Sequence, residues 1–563
     1  MNPFLTLFAA MASVWSVPTE PSGHFDVEAS VRYAKLFSQA RSLVEMNRGN
    51  EALALMKEAK GIYAQDGDLL YRLGQAQLAA KDYPGAIESY TKAMELGAFA
   101  AKFRASCLYD LACAYALQGD TSKGFDFLEQ AVKAGFRDLQ HLRTDADLES
   151  LHSDDRWETL AATKEVSKMT RDEGWRYDLW LLDREMRRIH FNPYRFYSAT
   201  ELDAYVKDIH ARIPQMTDAQ VSAAFLRYSV MLGDGHTSCR PAADSPMAQT
   251  VPVQLFWYEE GIFVTAAAPE HAELVGAQVL KVDGHTVESL VPTFEKYIWR
   301  DNPQGIKVSF PVRLTMPAFG HAVGSFKAAD QVTYSIRDGK GAIRDVTLKS
   351  GPATPNASWV TARKDSKNPD PLYMKNRTKA YFFEPIPELK AVYFQYNAVR
   401  NDPDEPLGAF CNRMFKYIDD NAIEKLIIDV RWNGGGNSFL NRNIHSEIYA
   451  RPKINRRGSL FLITGRNTFS AAQNFTTDLV RNANPILVGE PTGSSPNFVG
   501  ETIIVTLPYS KSRCSISDLY WQRSWPMDHR VWLAPEIPAP PVFELYKDNR
   551  DSAMEAIAAY LKG

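Results

Sequence analysis

Cysteine is scarce in this chain: Cys107, Cys113, Cys239, Cys411 and Cys514 are the only five in 563 residues, odd in number and far apart. None falls in a Cys-x-x-Cys pair or at Cys/His ligand spacing, so neither a disulfide framework nor a zinc site is expected, and the thiols read as isolated structural residues. A surplus of either charge is also lacking. Lys and Arg number 64 against 67 Asp and Glu, a formal net charge of -3, and without a long basic run no nucleic-acid partner is expected. No segment reaches the ~20 apolar residues of a membrane span. The apolar stretch at 3 to 17, PFLTLFAAMASVWSV, is too short for one and is followed by Pro18. It reads as the h-region of a signal peptide over 1–22 without a basic n-region, so a secreted or periplasmic protein is expected, with a cytoplasmic one as the alternative.

What is present is an ordinary globular composition, 45% hydrophobic and 23% charged, spread over a length that calls for several domains. Between 30 and 136 small and large residues recur at a fixed interval. Leu70, Leu73, Gly74, Ala86, Tyr90 and Ala93 form one helix-turn-helix unit, and Ala52, Met56 and Ala59 repeat its second half 34 residues earlier. Leu111, Ala112, Tyr115, Gly124, Leu128 and Ala131 repeat the unit again after an insertion. Small residues at the crossings let helices approach, and each unit buries its open face only against a neighbour. The pattern resembles the tetratricopeptide family, which implies a repeat domain over 24–165, closed by the segment 143 to 160. Such an array can hold a protein partner or act as a spacer.

From 170 to 245 the period stays helical and stops at Gly233-Asp234-Gly235, where a loop must begin. From 246 to 375 alternation takes over, as in VQLFWYEEGIFVTAA and QVTYSIRD, giving a β-rich insert. Its segment 272 to 284, AELVGAQVLKVDG, is similar to the second half of a PDZ domain. The last part, 376–563, alternates apolar strands (EKLIIDV, GSLFLIT, PILVGE) with helices, the pattern of parallel strands joined by right-handed crossovers. The fold class expected is therefore multidomain, α followed by α/β.

In a parallel sheet the loops after the strand ends share one edge, where ligands bind. Two features fall there: the run Gly434-Gly435-Gly436 and Ser470 at the start of a helix. Glycines allow backbone N-H groups close to an anion, and a helix start supplies the amide of Ala471 and a positive helix end to an oxyanion beside the serine. Each also has a plain structural explanation, since Ser470-Ala-Ala-Gln473 fits a capping box and a glycine run beside Asn433 and Asn437 fits a turn.

Together, IIDVRWNGGGN (427 to 437), ITGRNTFSAAQNF (463 to 475) and LVGEPTG (487 to 493) resemble the C-terminal-processing, or tail-specific, protease family and its tricorn-like branch. The resemblance covers about 173 to 563 and includes LGDGHTS (232 to 238). It implies a crotonase-like (ClpP-like) catalytic fold, Ser470 as nucleophile, and Gly435 and Ala471 as oxyanion donors. Tail-specific members use a lysine beyond the serine, but no lysine lies between Lys453 and Lys511. The tricorn-like branch draws a histidine from the segment before the insert, here His236, which titrates near neutrality and can shuttle the proton. His445, on the helix after the glycine run, is the rival base, and His285 reads as a residue beside an Asp-Gly hairpin turn. For the orienting acid, resemblance points to Asp528, seven residues before Pro535-Glu536-Ile537, in place of the family's glutamate. Gly235 stands where the family has a serine, and Asp234 is either the acid or a loop cap. The expected function is peptide-bond hydrolysis through an acyl-enzyme without metal or nucleotide. The alternative is a catalytically silent relative that binds a peptide or ligand as a scaffold.

Overall fold

The computed structural model describes residues 26–45, 48–96, 101–162, 164–351 and 358–562, so the expected signal peptide lies outside the described residues. The chain forms two compact units that meet in sequence at Lys164 and Glu165.

The first unit is helical, with Val27–Glu45, Gly49–Ile62, Gly67–Ala79, Tyr83–Glu95, Ala101–Gln118 and Thr121–Lys133 as successive helices. Aspartate starts several of them. Asp66, Asp82, Asp120 and Asp138 each accept a backbone N-H from the first turn of the helix that follows, satisfying donors that have no partner inside the helix. The small residues stand where sequence periodicity put them. A Cβ on Gly74 would lie 2.6 Å from the Tyr90 ring, so only glycine lets this helix pair close.

In the second unit the strands Lys425–Asp429, Leu460–Thr464 and Ile486–Gly489 are parallel neighbours in a six-stranded sheet. Ala391–Tyr396 pairs in parallel with Lys425–Asp429 and antiparallel with the edge strand Tyr381–Ile386, and Ile537–Pro538 closes the other edge. Both faces are covered, which is why these strands are apolar throughout instead of alternating. Val392, Phe394, Leu426, Ile428, Leu460 and Leu462 pack with Phe410, Met414, Phe475 and Leu479 on one side. Tyr393, Ile427, Phe461, Ile463 and Val488 pack with Ile557 on the other.

The helices Arg171–Ile189, Ala199–Arg212 and Asp218–Met231 precede a short strand, Ser238–Arg240, which joins Arg513–Gln522 and Asn497–Thr506 in a three-stranded antiparallel sheet. Here the structure corrects the cysteine reading. Cys239 and Cys514 are directly paired across strands and linked by a disulfide, while Cys107, Cys113 and Cys411 are free and buried. The two partners are 275 residues apart in sequence, and nothing local announces their pairing. The insert has the expected antiparallel strands, among them Val253–Tyr258, Gly261–Ala267 and Gln331–Arg337. It also carries the helices Val287–Phe294, Gln304–Arg313 and Pro317–Ala322, which its alternating stretches did not reveal.

Candidate active site

The loops after the parallel strands are tied to each other by backbone and side-chain bonds. The Asn433 carbonyl accepts from Phe469 N, its Nδ2 donates to the Tyr396 carbonyl at 2.9 Å, and Thr468 Oγ1 donates to the Val430 carbonyl at 3.0 Å. Asn441 Nδ2 donates to the Ala471 carbonyl, and Tyr396 Oη to Asn441 Oδ1. These bonds fix the glycine run against the start of the Ala471–Asn482 helix. A Cβ on Gly435 would stand 2.6 Å from Ser470 Cβ and 2.9 Å from Ala471 N. The run and the serine thus converge on one spot.

Ser470 does not cap its helix. Its backbone sits at φ 54, ψ -124, and its side chain makes no capping bond. Positive φ in a residue with a Cβ is strained, on the order of 1–3 kcal/mol, and persists only when its surroundings impose it. The capping-box explanation therefore fails, and the geometry is that of a sharp turn presenting a hydroxyl at the head of a helix. Ala471 N-H has no acceptor among the described residues, whereas Gly435 N-H donates to Asn433 Oδ1 at 2.9 Å. Of the two expected oxyanion donors, one is free and the other is engaged by a side chain.

His236 lies beside this spot. Its imidazole stacks on Phe469, the residue before the serine, with ring centroids 4.4 Å apart, and on Phe498 at 5.5 Å. Gly235 makes room for this, since a Cβ there would stand 2.7 Å from the Phe469 ring. Both ring nitrogens are sealed from solvent and neither makes a hydrogen bond of ordinary geometry. Burial pushes the imidazole down to about 4, against the opposing charge of Asp234 and the nearby backbone of Val499. It is therefore neutral at physiological pH and able to accept a proton.

Asp234 holds the loop that carries His236. Its Oδ1 accepts from the backbone N-H of His236 at 2.8 Å and of Thr237 at 2.6 Å and from Ser517 Oγ at 2.7 Å. Its Oδ2 accepts from His190 Nε2 at 2.8 Å, and His190 Nδ1 accepts from Asn192 N, which fixes the tautomer. Burial alone would raise the Asp234 carboxyl, but the hydrogen bond from His190, with those from Thr237 and Ser517, holds it below the usual range. A second buried carboxyl, Asp301, accepts from Gly235 N and Ser494 Oγ, both at 2.7 Å, and burial pushes it up to about 7. Sequence reasoning missed both His190 and Asp301. Neither stands in a motif, and only the fold brings them to this loop.

Asp528 is not on the imidazole. Its carboxylate accepts from Ser524 Oγ at 2.5 Å and pairs with Arg530 at 2.7 Å, and the Arg530 bond draws its titration far down. Its two oxygens bond Ser524 and Arg530, and neither ring nitrogen of His236 has a hydrogen-bond partner, so this acid does not orient the imidazole. His445, the rival base, is buried, stacks on Phe475 and bonds the Phe475 carbonyl at 3.3 Å, part-way down the helix from Ser470. His285 follows Asp283 and Gly284, both at positive φ, as a hairpin turn requires.

No protein-family model matches the sequence, and no curated protein is similar enough to count as a match. Among solved structures, the chain is similar to mature CPAF complexed with lactacystin, at 13% identity and a TM-score of 0.49, covering 69% of this chain and 98% of that one. It is also similar to the photosystem II D1 C-terminal processing protease, at 13% identity and a TM-score of 0.34, covering 70% and 98%. The tricorn protease aligns at 15% identity and a TM-score of 0.32, covering 70% of this chain and 37% of that one. The neighbours include proteases of the C-terminal-processing and tricorn kinds.

Proposed function

We propose that this chain is a serine peptidase that hydrolyses peptide bonds through an acyl-enzyme, with Ser470 as nucleophile and His236 as general base. The observation that carries this reading is the Ser470 backbone. A serine in a strained turn, with an uncapped helix start beside it and glycine against its Cβ, suits an attacking hydroxyl better than a structural one. Neutral His236 takes the Ser470 proton as Oγ attacks the carbonyl, and the oxyanion that forms is met by Ala471 N-H. Gly435 N-H joins once Asn433 Oδ1 gives way. The imidazolium then returns its proton to the leaving amine, and water attacks the ester by the same route in reverse. Asp234 assists through its charge and its grip on the loop, since it touches the His236 backbone and not its ring.

The architecture proposed around this site is a tetratricopeptide array over 24–165, a helical segment over 170–245, a PDZ-like insert over 246–375 and a crotonase-like core over 376–563. The substrate is a peptide or protein, and the repeats are a site for a protein partner. Export to a secreted or periplasmic location fits the apolar residues 3 to 17 and the Cys239–Cys514 disulfide, which persists in oxidising compartments. Incubating the protein with unstructured casein tests the activity: the wild type should generate fragments, and Ser470→Ala and His236→Ala should not. The engaged Gly435 N-H and the unbonded His236 nitrogens favour one other reading, a silent relative that binds peptide as a scaffold. Casein left intact by the wild type, but retained by it on a column, would select that reading.

A further inference from the structure

Away from Ser470, and lined by neither it nor His236, lies a cavity of about 750 Å³ between the insert and the sheet core. It falls in the size range of small-molecule sites. Phe256, Tyr258, Trp359, Tyr373, Trp432 and Tyr546 contribute six aromatic rings to its predominantly apolar wall. The charges on the wall are unbalanced: Lys349, Arg377, Arg431, Arg466 and Arg550 against Glu490 and Asp551. Three of these cations are neutralised, Arg431 by Asp429 and Asp551, Arg466 by Glu490 and Arg550 by Glu555. Lys349 and Arg377 have no carboxylate partner among the described residues, and the Arg377 guanidinium lies 4.1 Å from the centre of the Trp432 ring. The Trp432 indole N-H is buried without an acceptor, and so is Arg363 Nε, whose guanidinium packs on Tyr546. A buried donor left unpaired is costly, and an acceptor arriving from a ligand relieves that cost.

We infer that this cavity is a binding site for a small organic acid, a carboxylate carried on an aromatic or other apolar body, separate from the proposed hydrolytic site. The aromatic wall would take the body, and the two unneutralised cations with the orphan indole N-H would take the carboxylate. An aromatic box alone would equally suit a quaternary ammonium, but two unpaired cations oppose one.

The test is calorimetric titration of the full chain, carrying Ser470→Ala so that the serine cannot react, with 4-phenylbutyrate, its neutral amide, and a phenylalkyl trimethylammonium of the same length. The acid should bind at least about tenfold more tightly than either analogue, the scale of a charge-assisted hydrogen bond. Arg377→Gln should remove most of that preference and Lys349→Gln part of it, with melting temperatures held within about 1–2 °C because Lys349 is exposed and Arg377 gives up only its stacking on Trp432. Equal binding of acid and amide, preference for the ammonium, or no binding of any probe up to about 5 mM overturns the assignment. A hydrophobic hexapeptide with a free C-terminus is the last arm. If it binds as tightly as the acid, the site takes a chain end and the small-acid reading fails. None of these readouts involves hydrolysis, so they stand apart from the proposed peptidase activity.

Discussion

Replacing Gly435 by alanine tests the site at its tightest point. Gly435 sits at φ +110, and its missing Cβ would fall 2.6 Å from Ser470 Cβ, 2.9 Å from Ala471 N and 3.1 Å from the Phe469 carbonyl. None of these is the far end of a flexible side chain, so the backbone must move. Adopting that φ costs about 1–3 kcal/mol, which corresponds to a fall in Tm of roughly 1–4 °C in a unit of this length. The effect on chemistry should be larger. The methyl group would occupy the space before Ala471 N-H, and loss of a single oxyanion donor alone slows acylation by about 10²–10³. Gly434 supplies the control, because a Cβ there meets nothing within 4 Å, and Gly434→Ala should behave as wild type. The assay is the rate of labelling by a fluorophosphonate, read beside a thermal melt. Gly435→Ala labelling at the wild-type rate, or Gly434→Ala failing equally, would refute the convergence of these two loops.

Burial holds His236 at about 4, so the acid limb of kcat/KM should fall near pH 4 and not near the ordinary histidine value of about 6.5; a limb at 6.5 would contradict the enclosed imidazole. The same depressed value means that the stability contributed is whole above about pH 6.5 and is lost as pH falls from there towards 4, so melts in that window should flatten in His236→Ala. Asp234→Asn breaks the buried hydrogen bond from His190, which should cost about 1–3 kcal/mol in chemical denaturation and slow labelling, whereas Asp528→Asn should leave labelling within about twofold; the reverse order would restore Asp528 as the acid. Cys514→Ser removes a link that closes a very long loop, worth on the order of 5 kcal/mol in the chain-entropy account, and it loosens the strand that begins two residues after His236. A variant with unchanged denaturation midpoint and labelling rate would show that the disulfide does not hold that strand.

Much of the six-stranded sheet and of the candidate site beside it is legible in the sequence because its signals are local. The unbroken apolar runs EKLIIDV, GSLFLIT and PILVGE become adjacent parallel strands, since covering both faces of a sheet leaves no polar alternation to misread. The glycine run and Ser470 meet because each follows a strand of that sheet. What stays hidden depends on distant parts of the chain. The Cys239–Cys514 pair exists only because Ser238–Arg240 joins a strand far along the sequence. Ser470-Ala-Ala-Gln473 satisfies the capping-box pattern by letter, yet the tertiary frame forces the serine to positive φ. Asp528 stands at the spacing that resemblance assigns to an acid, but Arg530, two residues on, takes its charge. His190 and Asp301 reach the His236 loop from segments with no motif at all.

The most direct measurement is intact-mass spectrometry of the folded protein after fluorophosphonate treatment, followed by peptide mapping. A single adduct on Ser470 is expected, absent in Ser470→Ala and strongly reduced in His236→Ala. An unmodified wild type, or an adduct that survives Ser470→Ala, would contradict that expectation.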